Sequence, residues 1–179
     1  MDRALGVFSE RGFHGASMND VALAAGVTKP VLYQHFPSKR DLYLELLRDV
    51  GRQLTEAITA ATQPEVDVRA KTVAGLTAYF RFVKEEQAAF KLLFGSESQR
   101  VDGFESSSRQ VQDEIADTIA DLLDPHVDHQ RRIIIAHGIV GMAEGTCRVW
   151  LRRRLDLDPD ELGHRVGALL YGGLRDLRP

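Results

Sequence analysis

The chain is poor in features that define several classes of protein. It has a single cysteine, Cys147, in 179 residues. No disulfide can therefore form within it, and a reducing cytoplasm is the expected setting. Neither sign of charge dominates: 23 Lys and Arg stand against 26 Asp and Glu, a formal net charge of −3. Nucleic-acid binding would need a local patch rather than a global field. Long apolar runs are missing too. The longest, near residues 133–143, contains His137 and is far shorter than the roughly 20 residues that span a bilayer, so no membrane partner is expected. Asp2, Arg3, Glu10 and Arg11 interrupt any secretory signal pattern at the start. Alternating apolar and polar runs, internal repeats, low-complexity segments, a glycine-rich phosphate loop and a nucleophile elbow are all absent.

What remains is ordinary globular material, 44% hydrophobic and 27% charged, patterned almost throughout at helical period. Leu5 and Phe8 predict a short first helix closed by a glycine cap at Gly12-Phe13. Ser17, three residues ahead of Asp20, forms a variant capping box for a helix running to about Ala25. Gly26 and Val27 make a turn. Thr28 can cap a third helix, which must stop near Phe36 because Pro37 follows. Ser38 caps a fourth, in which Leu42, Leu46, Val50, Leu54 and Ile58 recur at helical spacing. Beyond the break at Gln63-Pro64-Glu65, helices are predicted near 67–86, 88–95, 106–123, 128–154 and 159–177, with polar loops at Gly95-Ser96 and Asp102-Gly103. The fold class is all-α.

The third helix poses the functional question. Two helices joined by a tight glycine turn, the second short, form a helix-turn-helix. With Leu32 at the centre of the buried face and Phe36 beside it, Pro30, Tyr33 and Gln34 face outward, flanked by Val31 and His35. Pro30 is tolerated in the first turn, where its missing N–H has no helical partner in any case. Pro30 and Val31 offer apolar surface to thymine methyls, and Gln34 can pair with adenine in the major groove. Ser17, Lys29, Tyr33 and Lys39 suit phosphates. Plain helix packing with ordinary surface groups is the competing reading. Charge in residues 1–48 is nearly balanced, so one head would bind weakly and two on one duplex are expected.

The run "FSERGFHGASMNDVALAAGVTKPVLYQHFPSKRDLYLELL" resembles the DNA-binding domain of the TetR family of bacterial repressors. The likeness rests on Phe8 followed by Arg11-Gly12-Phe13, on Ala16-Ser17-Met18, on Ala25-Gly26-Val27, and on the Leu32-Tyr33-x-His35-Phe36-x-Ser38-Lys39 pattern. The "KPVLYQHFP" form resembles actinobacterial members. The resemblance implies a DNA-binding domain over residues 1–47 and a helical effector-binding and dimerisation domain over 48–179. It also implies DNA contacts by Ser17, Thr28, Lys29, Pro30, Val31, Tyr33, Gln34, His35 and Lys39. Members carry a basic arm and a fuller first helix, which Met1-Asp2-Arg3 does not supply. The implied function is that of a homodimeric repressor. It reads a pseudo-palindromic operator and is released by a small apolar or amphipathic effector. Its partners are double-stranded DNA, a second copy of the chain and that effector; no cofactor is expected.

The later helices support a dimer independently. Gly138, Gly141 and Gly145 recur at three- and four-residue spacing on the helix that carries Val149 and Trp150, and Leu162, Val166, Leu169 and Leu170 stripe the last one. Such stripes also build intramolecular cores. Pocket candidates mix large apolar groups with one histidine: Tyr79, Phe80, Val83, Phe90, Phe94, Ile115, Ile119, His137 and Met142. His137 reads rather as a satisfied core or interface histidine.

An alternative is an all-α metal- or cofactor-binding bundle with enzymatic activity. Glu161-Leu162-Gly163-His164 has the Glu-x-x-His spacing of di-iron bundles, but no second copy exists. His126 and His129 lie with Asp124 and Asp128 in a stretch that Pro125 marks as a loop. Cys147 lacks an activating partner. No catalytic or metal-binding constellation results.

Overall fold

The computed structural model describes residues 1–94 and 105–175, and among them every regular element is an α-helix. In chain order these are α1 Asp2–Gly15, α2 Met18–Ala25, α3 Lys29–His35, α4 Lys39–Thr62, α5 Val68–Glu85, α6 Gln87–Phe94, α7 Glu105–Leu122, α8 His129–Arg153 and α9 Pro159–Arg175. From α5 on, the boundaries agree with the periodicity to within a residue wherever they can be compared. The helix ends expected at 95 and 177, and the loops at Gly95-Ser96 and Asp102-Gly103, lie outside the described residues.

The first helix departs from expectation. Gly12 takes a positive φ of 66° but a ψ of 172°, so it kinks the chain instead of capping it, and α1 resumes to Gly15. Among the described residues, only the turn at Gly26, with φ 70° and ψ 25°, is a left-handed glycine cap.

The chain forms two compact units. Met1–Gly51 folds with Glu86–Gln112, and Arg52–Glu85 folds with Asp113–Pro179. In the first unit, Phe8, Phe13 and Tyr43 pack edge-on and stacked, with centroids 5.2–6.3 Å apart. Leu42, Leu46, Leu47 and Val50 of α4 close that core at 2% exposure or less. Each such side chain contributes about 1.5–3 kcal/mol by leaving water. The Ser38 hydroxyl accepts the Asp41 N–H at 3.1 Å and so opens α4. Helix α6 lies on α1 and buries Phe90 and Phe94.

In the second unit α5 lies along α9. Their approach is so close that a Cβ at Gly163 would sit 2.8 Å from the Thr77 Cα. Asp158 accepts the Asp160 N–H at 2.8 Å, and Pro159 begins α9 where no helical N–H is needed. Arg81 then holds the first turn of α9 through two 2.6 Å bonds to Asp160. Phe80, fully buried, is edge-on to both Tyr79 and Trp150.

Candidate nucleic-acid interface and effector cavity

Helix α3 buries one residue, Leu32. Lys29, Pro30, Val31, Tyr33, Gln34 and His35 are all exposed, which is the outward face that the sequence predicts. The Lys29 ammonium stands 5.9 Å from the centroid of the Tyr33 ring, one turn on. Cation and phenol thus occupy one side of the helix, leaving Gln34 with Pro30 and Val31 as the groups fit to meet base edges. Thr28 is the N-cap residue, yet its side chain makes no capping hydrogen bond. That corrects the expectation that it caps α3. Its hydroxyl is not taken by the helix it precedes.

Two other expected phosphate contacts are engaged. Ser17 accepts the Asp20 N–H at 3.2 Å, and its own N–H and hydroxyl both donate to the Asp20 carboxylate. These hydrogen bonds, and then the Arg11 guanidinium 2.7 Å away, hold the Asp20 carboxyl below its usual range. Ser17 nonetheless remains exposed. Lys39 is placed otherwise than expected: its ammonium donates to the carbonyls of Phe13 at 2.7 Å and Ala16 at 2.8 Å and lies 4.4 Å from the Phe13 ring centroid. The side chain as a whole is half-buried.

The second unit holds a partly open cavity of about 390 Å³, lined by residues from α4, α5, α7 and α8 and the loops between them. Of the nine pocket candidates, Tyr79, Ile115 and Ile119 line it. The others do not. Phe80 and Val83 are core residues at 0% and 1% exposure. Phe90 and Phe94 belong to the first unit, and Met142 is half-buried outside the lining. His137 is exposed rather than in the core: its ring nitrogens reach the Ile133 carbonyl at 2.9 Å and the Asp113 carboxylate at 3.3 Å. The Ile133 bond first, and then Asp113, raise its pKa.

The walls that sequence reasoning missed are small and aliphatic: Ile58, Leu76, Ile139, Val140 and Ala143. Gln63, Lys71 and Asp124 add polar groups to the lining, and two threonine hydroxyls there are bonded to the backbone. The Thr62 hydroxyl donates to the Ile58 carbonyl at 2.9 Å and the Thr72 hydroxyl to the Val68 carbonyl at 2.7 Å. The available signal was Gly75, a glycine inside a helix. A Cβ there would meet the Thr62 methyl at 3.2 Å, so α5 and the end of α4 come together beside the cavity. Burial drives the Tyr79 hydroxyl well above its ordinary pKa and raises the Cys147 thiol likewise, so both present neutral groups. Among the described residues no three of His, Cys, Asp and Glu gather as a metal site. Glu161 pairs with Arg165 at 2.5 Å, while His164 bonds the Asp160 carbonyl at 2.8 Å.

The expected dimer stripe separates into two sets. Gly138, Gly141 and Gly145 face open space, and Val149 and Leu169 are 38% and 68% exposed. With Ile134, 72% exposed, the glycines make a bare face on α8. Trp150, Leu162, Val166 and Leu170 are instead buried in the protomer's own core. The Trp150 indole N–H donates to the Leu155 carbonyl at 3.1 Å. No described helix is long and apolar enough to cross a membrane.

Residues 1–46 match the family described as bacterial regulatory proteins, tetR family. The HTH-type transcriptional activator FasR of Mycolicibacterium smegmatis is 31% identical over 170 residues, covering 94% of this chain and 78% of the relative. The HTH-type transcriptional regulator BetI of Cronobacter sakazakii is 25% identical over 166 residues, 90% of this chain and 81% of the relative. Among solved structures, a TetR-like transcriptional regulator from Rhodococcus sp. RHA1 matches with TM-score 0.75 at 27% identity, over 97% of this chain and 92% of that one. FadR from Bacillus subtilis, solved in complex with stearoyl-CoA, shares the fold at TM-score 0.80 and 17% identity over 94% of each chain. The exposed short helix of a helix-turn-helix and the full-length relatives lead to one assignment: the chain belongs to the tetR family, whose members are DNA-binding transcriptional regulators and not enzymes.

Proposed function

We propose that the chain is a cytoplasmic, effector-controlled operator reader that works as a homodimer. Residues 1–47 present α3 to the major groove, and residues 48–179 hold the effector and the partner subunit. The observation that carries this reading is the face of α3, where Leu32 alone is buried and the remaining six side chains are exposed. So short a helix with so little inward surface has its outward surface as its purpose. Two heads on a two-fold-symmetric site would compensate for the balanced charge of each. The bare α8 face of Ile134, Gly138, Gly141 and Gly145 supports pairing of two copies, since small residues permit close helix approach.

The cavity supports an apolar or amphipathic effector. Its volume, about 390 Å³, lies within the range of about 300–1,000 Å³ found for ligand pockets, and its aliphatic walls suit an alkyl chain or fused rings. FadR's stearoyl-CoA complex makes fatty acyl thioesters the first class to try. Such a ligand changes DNA binding only by its differential affinity for two states of the protein. Repression by promoter occlusion is the mode proposed for this chain. FasR is named an activator, and operator position relative to the promoter decides between the two signs.

The test is selection of bound duplexes from a random DNA pool, followed by transcription from a promoter bearing the winner. A two-fold-symmetric consensus and reduced transcription are expected. Enrichment without symmetry would remove the dimeric reading, and stimulated transcription would reverse the sign.

A further inference from the structure

The cavity of the second unit has two ends of different chemistry. Three helices run inward from one rim. On α5, Val68 is exposed, Lys71 and Thr72 are half-buried, and Leu76 and Tyr79 are buried. On α7, Leu122 is half-buried and Ile115 buried; on α8, Val140 is half-buried and Ala143 buried. The inner end is therefore aliphatic and aromatic. At the rim, the segments that follow α4 and α7 bring Gln63, Val66 and Asp124 to the lining, and Val66 is 93% exposed there. From Lys71 to Tyr79 helix α5 rises about 12 Å.

Lys71 and Asp124 are the charged residues of this lining, and their situations differ. The Asp124 carboxylate already accepts the His126 N–H at 2.9 Å. Asp67, one turn before Lys71, accepts the Ala70 N–H at 3.0 Å and so opens α5. Among the described residues no carboxylate pairs with the Lys71 ammonium, a compact charge with three donors on a flexible stem. The rim thus offers a cation, and the interior offers apolar surface. We propose, on the reading that this cavity holds the effector, that the effector is an anionic amphiphile whose negative head pairs with Lys71 while its apolar body runs inward toward Tyr79. Aliphatic walls alone would accept such a body in either direction; a charge-assisted contact at one end fixes its orientation.

The probes are dodecanoate, dodecanol and dodecyltrimethylammonium, each below its micellar concentration, titrated against the full chain by displacement of an uncharged apolar dye. Wild type is expected to bind dodecanoate most tightly and the ammonium least. Lys71→Met should weaken dodecanoate about five- to tenfold and leave dodecanol unchanged, and the alcohol thereby shows that the variant is folded. Asp124→Asn keeps an oxygen for the His126 N–H and should tighten dodecanoate about twofold by removing a like charge. Added salt should reduce both effects.

Equal affinity for acid and alcohol, with Lys71→Met silent, would overturn the anchor and leave an apolar effector cavity. A preference for the ammonium that Asp124→Asn abolishes would overturn it in favour of a cationic ligand. Binding of none of the three would overturn the effector reading of the cavity together with the anchor. A free acid and its coenzyme A thioester both carry a negative head, and dodecanoyl-CoA run alongside separates these sources. With sensitivity to Lys71→Met in each case, tighter binding of the thioester assigns the head to its phosphates, and tighter binding of the acid assigns it to the carboxylate.

Discussion

Gly51 and Val111 are in direct contact: a Cβ built on Gly51 would lie 2.5 Å from the Val111 Cγ1. The glycine sits inside α4, where it costs about 1 kcal/mol of helix stability relative to alanine. Close approach is its compensation. Val111 cannot easily yield, because a β-branched side chain has few rotamers. Gly51→Ala is therefore expected to destabilise the protein by about 1–3 kcal/mol, read from urea unfolding. Adding Val111→Ala should recover most of that loss, because the two sites are coupled. A stabilised single variant would show that α4 and α7 do not meet in this way.

On the reading face, Gln34 is the residue assigned to base recognition. Gln34→Ala is expected to cost about 1–3 kcal/mol on the selected operator and to relax the consensus at one position in each half-site. Repeating the selection with the variant checks this. An unaltered consensus would shift base recognition to Val31 or His35.

Filling the cavity should separate effector response from DNA binding. Val140 lines the space and is half-buried. Val140→Phe is expected to abolish any rise in melting temperature produced by acyl-CoA thioesters of graded chain length, a rise that ligand binding to the folded state must cause. Operator affinity should remain. If wild type responds to none of them, the acyl-thioester class fails while the operator reading stands.

The bare face of α8 gives a clean dimer test. Nothing lies within 4 Å of a Cβ at Gly141, so Gly141→Arg should leave the protomer folded. Sedimentation is expected to show a monomer, with operator binding lost by about the affinity that the second head contributes. A variant that still sediments as a dimer would place the interface elsewhere.

His137 predicts a small pH effect. Bonds to the Ile133 carbonyl and Asp113 raise its folded pKa above the ordinary 6.5, so the stabilisation is complete below that ordinary value and vanishes as pH rises through the folded one. His137→Gln should be less stable than wild type in mild acid, by less than about 1 kcal/mol because the pair is exposed. At pH values above the raised pKa the difference should disappear.

Most of the helices were legible in the sequence, because an apolar stripe at helical period announces itself whatever it packs against. What it packs against is less legible. Trp150, Leu162, Val166 and Leu170 read equally well as an interface and as a core, and burial assigns them to the core. Phe90 and Phe94 read as pocket residues, yet α6 folds with α1, a pairing between distant segments that local periodicity does not encode. The cavity was half-seen. Sequence reasoning looks for aromatic and polar signals, and a wall of Ile, Leu, Val and Ala is indistinguishable from ordinary core. Lys39 was read as a phosphate group from its place in the motif. In the structure its ammonium also donates to two backbone carbonyls, and a sequence does not display backbone acceptors.

The burial of Cys147 has a practical corollary. Its thiol is fully buried and its ionisation is suppressed, so it reacts with maleimides only when the surrounding helices open. A cysteine introduced on the exposed faces of α3 or α8 would be the sole labelling point of the native protein. Dye or spin-label distances between two heads could then be measured on an otherwise wild-type background. The native thiol would serve as an internal clock, its slow modification reporting how often the second unit opens and whether a candidate effector slows that opening.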